Sequence, residues 1–362
     1  MTPTRPAILS HRNQPCAWQL LLPVLAGLLG CSPDSGQQAT VALPTGHYEG
    51  TVAYQGTELT ASLDLREVSP GRLEADMRFP QEEGLSFAAE NPRYSEPQLL
   101  LSGPDGGISV SAIREGDFLR GVFTLDSIKA DFVWVRRGKA QPRAYQSKPL
   151  PAPAGTALPA LTLLIPQDTL GRHPAVALFA GPATQPAARR RAAQLAGQGF
   201  VTTVVALPQV ALPADSAMLQ MAAQVLQALR REATVDTMRV GMWAGGNAAS
   251  VVPAAVLARP KAAFVVLENV SVSSMEEARP FQMLGRQRIP VLGLYAADTS
   301  LNVKDSARRL RNAAGRQRST QVRIFPQADA RFLLPGQISP DGKWTWPASA
   351  PGYVQAISEW LK

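Results

Sequence analysis

The residues with the clearest chemical pattern form a run of small side chains at 240–253, directly after a short apolar stretch. A strand that bends sharply into a helix, with small residues two positions before and after the corner, is the layout of a nucleophile elbow. With Gly246 at the corner, Ala244 and Ala248 fill those flanking positions. Glycine adopts the positive-φ conformation of such a corner without strain but has no hydroxyl. The pattern predicts the bend without the nucleophile; the alternative is an ordinary buried strand–helix junction.

The base that would activate a hydroxyl is also missing from this region. The sequence contains three histidines, His11, His47 and His173, and all precede the corner. His173 comes before an apolar stretch, which predicts a position at the amino end of its strand, whereas ligands of parallel sheets bind outside the carboxyl ends. Glu268 and the serines at 250, 271, 273 and 274 lie nearby in sequence. Without a base a serine is a poor nucleophile, and capping and turn roles account for these serines.

No cofactor or metal is expected. The only cysteines are Cys16 and Cys31, and no cluster of histidines or cysteines has the spacing of a metal site. The net charge of +8 is concentrated in Arg189–Arg191 and in the region 308–318. We expect these arginines to lie on solvated helix faces, with anionic lipid or polyanion binding as the alternative. Aromatic residues do not interleave with them and no nucleic-acid motif occurs, so nucleic acid is not an expected partner.

The elements that would position the corner lie in the second half of the chain. From about residue 156 onward, short apolar runs alternate with helical stretches, which predicts an α/β fold with a doubly wound, mostly parallel sheet. The strongest helix is 216–232, which has one apolar stripe and Asp215 as its N-cap. The predicted strands are 158–165, 175–180, 200–207, 238–243, 262–267, 291–295 and 321–325, and a further helix is 187–199.

The first half of the chain has a different period. Between 47 and 137 apolar and polar residues alternate, as in 57–65, where every second side chain is apolar. This pattern, interrupted by turn signals, predicts a small antiparallel β-domain, either a sandwich or an open barrel. Residues 138–155 are rich in Pro, Ala and Lys and are predicted to be a linker, which leaves 156–362 as the α/β domain.

The amino-terminal segment predicts export and anchoring. Residues 1–30 combine Arg5 and Arg12 with an apolar run that is too short for a confident bilayer span, as in a signal peptide. The run ends in Leu-Leu-Gly-Cys and resembles the lipobox of bacterial lipoproteins, with Cys31 as the lipidated residue and 31–46 as a polar tether. A plain signal peptide is the alternative. We therefore expect an extracytoplasmic protein held at a membrane, the outer membrane in particular, through an amino-terminal lipid anchor.

Residues 156–362 resemble the α/β-hydrolase superfamily, and with the preceding β-domain they are similar to secreted bacterial hydrolases of the dienelactone hydrolase or prolyl-oligopeptidase type. The resemblance rests on four segments: 173–181 for the strand before the oxyanion loop, 244–248 for the elbow, 289–298 for the strand before the acid, and 323–332 for the segment of the base. It implies the chain order nucleophile, acid, base.

Carried over to this sequence, the resemblance leaves an incomplete site. The positions that correspond to nucleophile, acid and base are Gly246, Asp298 and Ala330. The oxyanion donors fall at Asn247 and at Pro182, which has no N–H. The rest of the pocket corresponds to Gly181, Ala244 and Gly245. No histidine follows residue 173, so a triad in this order cannot be assembled.

Two functions remain open from the sequence. The preferred one is a lipid-anchored pseudoenzyme that binds an unknown small molecule or protein partner in the former cleft. The other is an active serine-hydrolase-like esterase or peptidase that uses residues outside this pattern.

Overall fold

The amino-terminal half forms one antiparallel sheet of nine strands in the order β4-β3-β2-β1-β9-β8-β7-β6-β5. The two edge strands are separated only by Ala89, whose N–H donates to the carbonyl of Ala75 in β3. The sheet therefore curls until its edges approach each other, and of the two expected forms it is the open barrel. Its strands are β1 Gly46–Tyr54, β2 Thr57–Ser69, β3 Arg72–Arg78, β4 Phe87–Ala88, β5 Glu90–Ser95, β6 Gln98–Ser102, β7 Ile108–Glu115, β8 Phe118–Leu125 and β9 Ile128–Gly138.

This computed structural model describes residues 42–150, 160–168, 170–208, 215–297, 301–315 and 319–361. The predicted signal peptide, the lipidation site Cys31, most of the tether and the acid position Asp298 lie outside the described residues. Among the described helices, none has the length and hydropathy needed to cross a bilayer.

The alternation of apolar and polar residues places the apolar side chains in the interior of the barrel. Along β2 the side chains of Leu59, Ala61 and Leu63 are buried, whereas Thr60 between them is exposed. Of the five aromatic side chains that this pattern predicts to be core, Tyr48, Phe123, Phe132 and Trp134 are buried, whereas Phe118 is 44% exposed and the prediction is wrong for it. Because successive strand residues point to opposite faces, this one pattern fixes which face is inside.

The second sheet has eight strands in the order β10-β11-β13-β12-β14-β15-β16-β17. The pairs from β13 through β17 are parallel, whereas β10 and β11 pair in the antiparallel sense. The sheet is thus mixed with a parallel majority, as the alternation of strand and helix predicts. Its strands are β10 Tyr145–Leu150, β11 Leu161–Pro166, β12 His173–Ala180, β13 Val201–Ala206, β14 Val235–Gly245, β15 Val265–Glu268, β16 Val291–Ala296 and β17 Gln321–Phe325.

Helices cover both faces of the second sheet. The helices are α1 Gln185–Gly197, α2 Ser216–Arg231, α3 Ala254–Leu257, α4 Met275–Arg286, α5 Val303–Ala314 and α6 Tyr353–Leu361. One apolar core contains α2 to α5, and another contains α1 and α6. Strands enclosed between two helical layers read as continuous apolar runs, which is why they were recognisable in the sequence. The predicted cap of α2 is confirmed, since the Asp215 side chain accepts from the Met218 N–H at 2.7 Å.

The linker interpretation of 138–155 is wrong for its middle part. Tyr145–Leu150 forms β10, which pairs with Leu161–Pro166 along its whole length. An edge strand tolerates a proline and exposed polar residues, so the segment lacks the signals of a buried strand. The residues before β10 are also anchored: the Gln141 N–H donates to Asp64 at 2.7 Å, and Arg143 donates to Asp76 at 2.7 Å.

The chain returns to the barrel after β17. Four short strands, β18 Leu333–Leu334, β19 Gln337–Ile338, β20 Trp344–Thr345 and β21 Ala348–Ser349, form two small ladders there. Trp346 belongs to the apolar core of the barrel, and its ring centroid lies 6.4 Å from that of Phe123. Residues from both predicted domains therefore share one core, and Leu43–Lys362 form one compact unit.

Candidate functional site

The connections of the second sheet change from one face to the other beside the corner predicted from the sequence. Strand β12 lies between β13 and β14. The helix that follows β12 packs on one face of the sheet, whereas the segment that follows β14 packs on the other. Where neighbouring parallel strands send their connections to opposite faces, a crevice forms outside their carboxyl ends. We call this the switch-point crevice and define it by Gly181, Pro182, Gly245, Gly246 and Asn247.

The backbone at Gly246 turns as an elbow would. Gly245 is extended, with φ −113° and ψ 140°, whereas Gly246 has φ +52°. A Cβ built on Gly246 meets nothing within 4 Å, so this position opens into free space. The flanking Ala244 and Ala248 are buried. The following segment is shorter than the predicted helix: Gly246–Val251 is a 3-10 turn, and α3 has only four residues.

The opposite side of the crevice is the turn after β12. Phe179 in β12 is in register with Ala244 in β14, which brings the two strand ends together. The Gly181 carbonyl accepts the N–H groups of Thr184 and Gln185 at 3.0 and 2.9 Å. Pro182 is exposed in this turn and contributes no N–H, and Asn247 is exposed on the other side.

The segment of the base position is held at the same edge of the sheet. Asn269, directly after β15, donates from Nδ2 to the Ala330 carbonyl at 3.2 Å. Its Oδ1 accepts the Ala296 N–H at 2.8 Å, at the end of β16. Ala330 is exposed. Sequence reasoning missed Asn269, whose only signal was its place directly after a buried strand. The distances among Gly246, Asp298 and Ala330 stay a prediction.

A network of paired charge lies next to the corner. Glu268 is in register with Gly245. Its carboxylate accepts the Trp243 Nε1–H at 2.7 Å, an Arg191 N–H at 3.0 Å and the Tyr353 hydroxyl at 3.3 Å. Burial raises the pKa of Tyr353 well above its usual value, so the hydroxyl keeps its proton and acts as a donor. Three donors therefore already engage the carboxylate, and it serves the scaffold more directly than it would serve as a general base.

The expectation of solvated arginines at 189–191 is confirmed for Arg189, which is exposed, and is wrong for Arg190 and Arg191. Arg189 pairs with Glu90 at 2.5 Å, Arg190 pairs with Asp105, and Arg191 pairs with Glu268 at 3.0 Å. Burial lowers the pKa of Arg190 to about 10, and that residue is only 9% exposed. Two of the three carboxylates are on the barrel, so the partners are far away in sequence and left no local signal.

The two described histidines serve the scaffold. His173 lies at the amino end of β12, as predicted, and its ring nitrogens face the carbonyls of Gly199 at 3.1 Å and Asp168 at 2.6 Å. His47 contacts Asp64 at 2.8 Å and Glu49 at 3.0 Å in the barrel. Within the part of the chain that the structure describes, no imidazole hydrogen bonds to a residue of the crevice, and no group of three acidic, Cys or His side chains forms a metal site.

Comparisons with known proteins return structural likeness only. No family model and no curated protein matches the chain. Two solved structures of an esterase from Thermogutta terrifontis are 15% identical, cover 52% and 51% of this chain and 85% and 82% of theirs, with TM-scores of 0.37 and 0.34. One of them is phosphoramylated by tabun and the other has butyrate bound. A dienelactone hydrolase from Klebsiella pneumoniae, described as putative, is 16% identical over 51% of this chain and 87% of its own, with a TM-score of 0.38.

Proposed function

We propose that this chain is a lipid-anchored extracytoplasmic protein whose α/β-hydrolase-like half binds a small molecule or a protein partner without hydrolysing it. The observation that carries the proposal is Gly246: it occupies the corner at φ +52°, open to the crevice, and has no side chain. A hydrolase of this architecture places its nucleophilic hydroxyl at this point.

The loss extends beyond the nucleophile. The base position is Ala330, and every histidine of the sequence precedes the corner. Of the two oxyanion positions, only Asn247 has an N–H to donate, because the other is Pro182. Nucleophile and base act as one unit, so the absence of both removes the covalent route and not merely part of its rate.

The crevice retains features that suit binding. It lies at a topological switch point, which is where open α/β sheets hold their ligands. Its walls are backbone of Gly181 and Gly245, and exposed amide groups such as that of Asn247 are available for hydrogen bonds. A ligand there requires only shape and hydrogen bonding, and no group positioned for proton transfer.

An assay of hydrolysis tests the proposal directly. Purified protein is treated with a fluorophosphonate probe and with p-nitrophenyl acetate and butyrate. We expect no labelled serine and no ester turnover above the buffer blank. Stoichiometric labelling of any serine, with turnover abolished by replacing that serine, would instead identify an active esterase or peptidase.

A further inference from the structure

A second concave site lies away from the crevice, between the barrel and α1. It is a cavity of about 900 Å³, which is within the range that accommodates a drug-sized ligand. Exposed lining residues, among them Pro80, Glu83 and Gln198, mark an entrance from solvent. We call it the barrel–α1 cavity.

The walls of this cavity are mainly apolar. Leu164 in β11 and Val204 in β13 line it and are only half-buried, although their strand neighbours Leu163 and Val205 are fully buried. The sheet face at β11 and β13 is therefore left incompletely covered by helices at this point. Phe79 of the barrel also lines the cavity. Apolar side chains that remain half-exposed inside a concavity gain free energy when an apolar ligand covers them.

The arginines in the cavity wall are already paired with carboxylates. The arginines of the lining are Arg78, Arg143, Arg189, Arg190 and Arg191. Each has a carboxylate partner within 3.4 Å: in that order Asp64, Asp76, Glu90, Asp105 and Glu268. An anionic ligand would have to lose its hydration in a wall whose arginines are all engaged by carboxylates, which is costly.

Hydrogen-bonding groups without net charge are present along α1. Gln185, Gln194 and Gln198 line the cavity, and a side-chain amide both donates and accepts. Gln194 accepts from Arg191 at 3.3 Å through Oε1, which leaves its amide N–H groups for a further partner. Apolar walls with a few neutral polar groups are the usual composition of a small-molecule site.

We propose that the barrel–α1 cavity is a ligand site for an uncharged, mainly apolar small molecule with hydrogen-bonding groups at one end. The site is separate from the switch-point crevice: Arg191 and Tyr353 line the cavity, and Glu268, which both contact, lies between them and Gly245. Binding in the barrel–α1 cavity does not depend on whether Gly246 occupies a nucleophile position.

Two related fluorophores test this proposal. N-phenyl-1-naphthylamine is uncharged and fluoresces in apolar surroundings, whereas 8-anilino-1-naphthalenesulfonate carries a similar aryl amine with a negative charge. We expect saturable binding of the uncharged probe to the purified protein at about one site per chain, and at least about tenfold weaker binding of the sulfonate. Absence of saturable binding of the uncharged probe, or equal affinity for both, would overturn the proposal.

Variants locate the probe. Ala193→Trp from α1 and Val204→Phe from the sheet fill the cavity from two sides, and each should weaken binding at least about tenfold. Gln220→Trp, exposed on α2, is the control for an added indole and should bind as wild type. Circular dichroism and the melting temperature identify any variant that fails to fold. If one cavity-filling variant does not fold, binding by the other one tests the proposal.

A further variant distinguishes binding in the cavity from binding in the switch-point crevice. Asn247→Trp places a bulky side chain at the crevice and should leave binding of the uncharged probe unchanged. If this variant abolishes binding while Ala193→Trp and Val204→Phe do not, the probe occupies the crevice and the cavity proposal is wrong.

Discussion

At the scale of single residues, the proposed lack of hydrolysis depends most on the residue at the corner. The role of Gly246 can be tested by restoring the missing hydroxyl and the missing base. Gly246→Ser alone should be labelled only slowly by a fluorophosphonate, because a hydroxyl without a base is a poor nucleophile. The double variant Gly246→Ser/Ala330→His should be labelled at least about tenfold faster than either single variant, since general base catalysis contributes about 10²–10⁴-fold when geometry permits.

The matched control lies one residue away. Gly245 is extended, and a Cβ there meets Glu268 at 3.7–3.9 Å instead of open space. Gly245→Ser combined with Ala330→His should therefore remain inert. Equal labelling of the two double variants would mean that Gly246 does not occupy the nucleophile position.

His47 predicts a pH-dependent contribution to stability. Burial lowers its pKa, but hydrogen bonds and charge from Asp64 and Glu49 outweigh that effect and raise the pKa above its usual 6.5. A raised folded-state pKa stabilises the fold fully below pH 6.5, and this contribution is lost as pH rises through the folded-state pKa. The free energy of unfolding of wild type minus that of His47→Gln should be larger at pH 5.5 than at pH 8.5.

Urea unfolding at the two pH values measures that difference. Glu49→Gln removes one of the two carboxylates that raise the pKa and should reduce the pH dependence. A difference that is equal at both pH values, or larger at pH 8.5, contradicts the prediction.

At the scale of elements, α2 depends on its cap. Asp215 accepts the Met218 N–H, so Asp215→Ala should lower the free energy of unfolding by about 1 kcal/mol. Asp215→Asn keeps an acceptor of the same reach and should cost much less. Chemical denaturation of both variants measures the comparison, and equal losses would assign the effect to charge instead of capping.

Local signals explain which elements were predictable. Helix α2 carries its cap and apolar stripe within its own residues, and β12 and the second half of β14 are buried, continuous apolar runs. Strand β10 was missed because an edge position imposes no pattern on its residues.

The candidate site likewise has features that the local sequence predicts and features that it does not. The bend at Gly246 follows from neighbouring residues, so it was predictable. The pairing of Arg190 with Asp105 and of Asn269 with the Ala330 carbonyl joins positions that are 85 and 61 residues apart. Such contacts depend on the folded arrangement of both halves and leave no mark on the local sequence.

At the scale of the whole molecule, Trp346 joins the two halves. Its side chain is 7% exposed, and its ring lies 6.4 Å from Phe123 and 6.2 Å from Tyr54 between centroids. Trp346→Ala should lower the free energy of unfolding by about 3–5 kcal/mol. Because the tryptophan lies beyond β17 but packs in the barrel, hydrogen exchange should increase in β1 and β8; an increase confined to 333–350 would contradict this.

The proposed anchoring is the remaining property of the whole chain, and in that proposal it depends on one atom, the sulfur of Cys31. A single acyl chain gives marginal membrane binding, so stable attachment needs the several chains of a lipoprotein anchor. In cells that express the full chain, Cys31→Ser should abolish labelling by an alkyne fatty acid and move the protein from the membrane to the soluble fraction. Cys16→Ser, the other cysteine of the sequence, is the matched control and should keep both properties. Density-gradient fractionation of the wild type should place it with the outer membrane; a Cys31→Ser protein that remains labelled and membrane-bound would exclude Cys31 as the anchor.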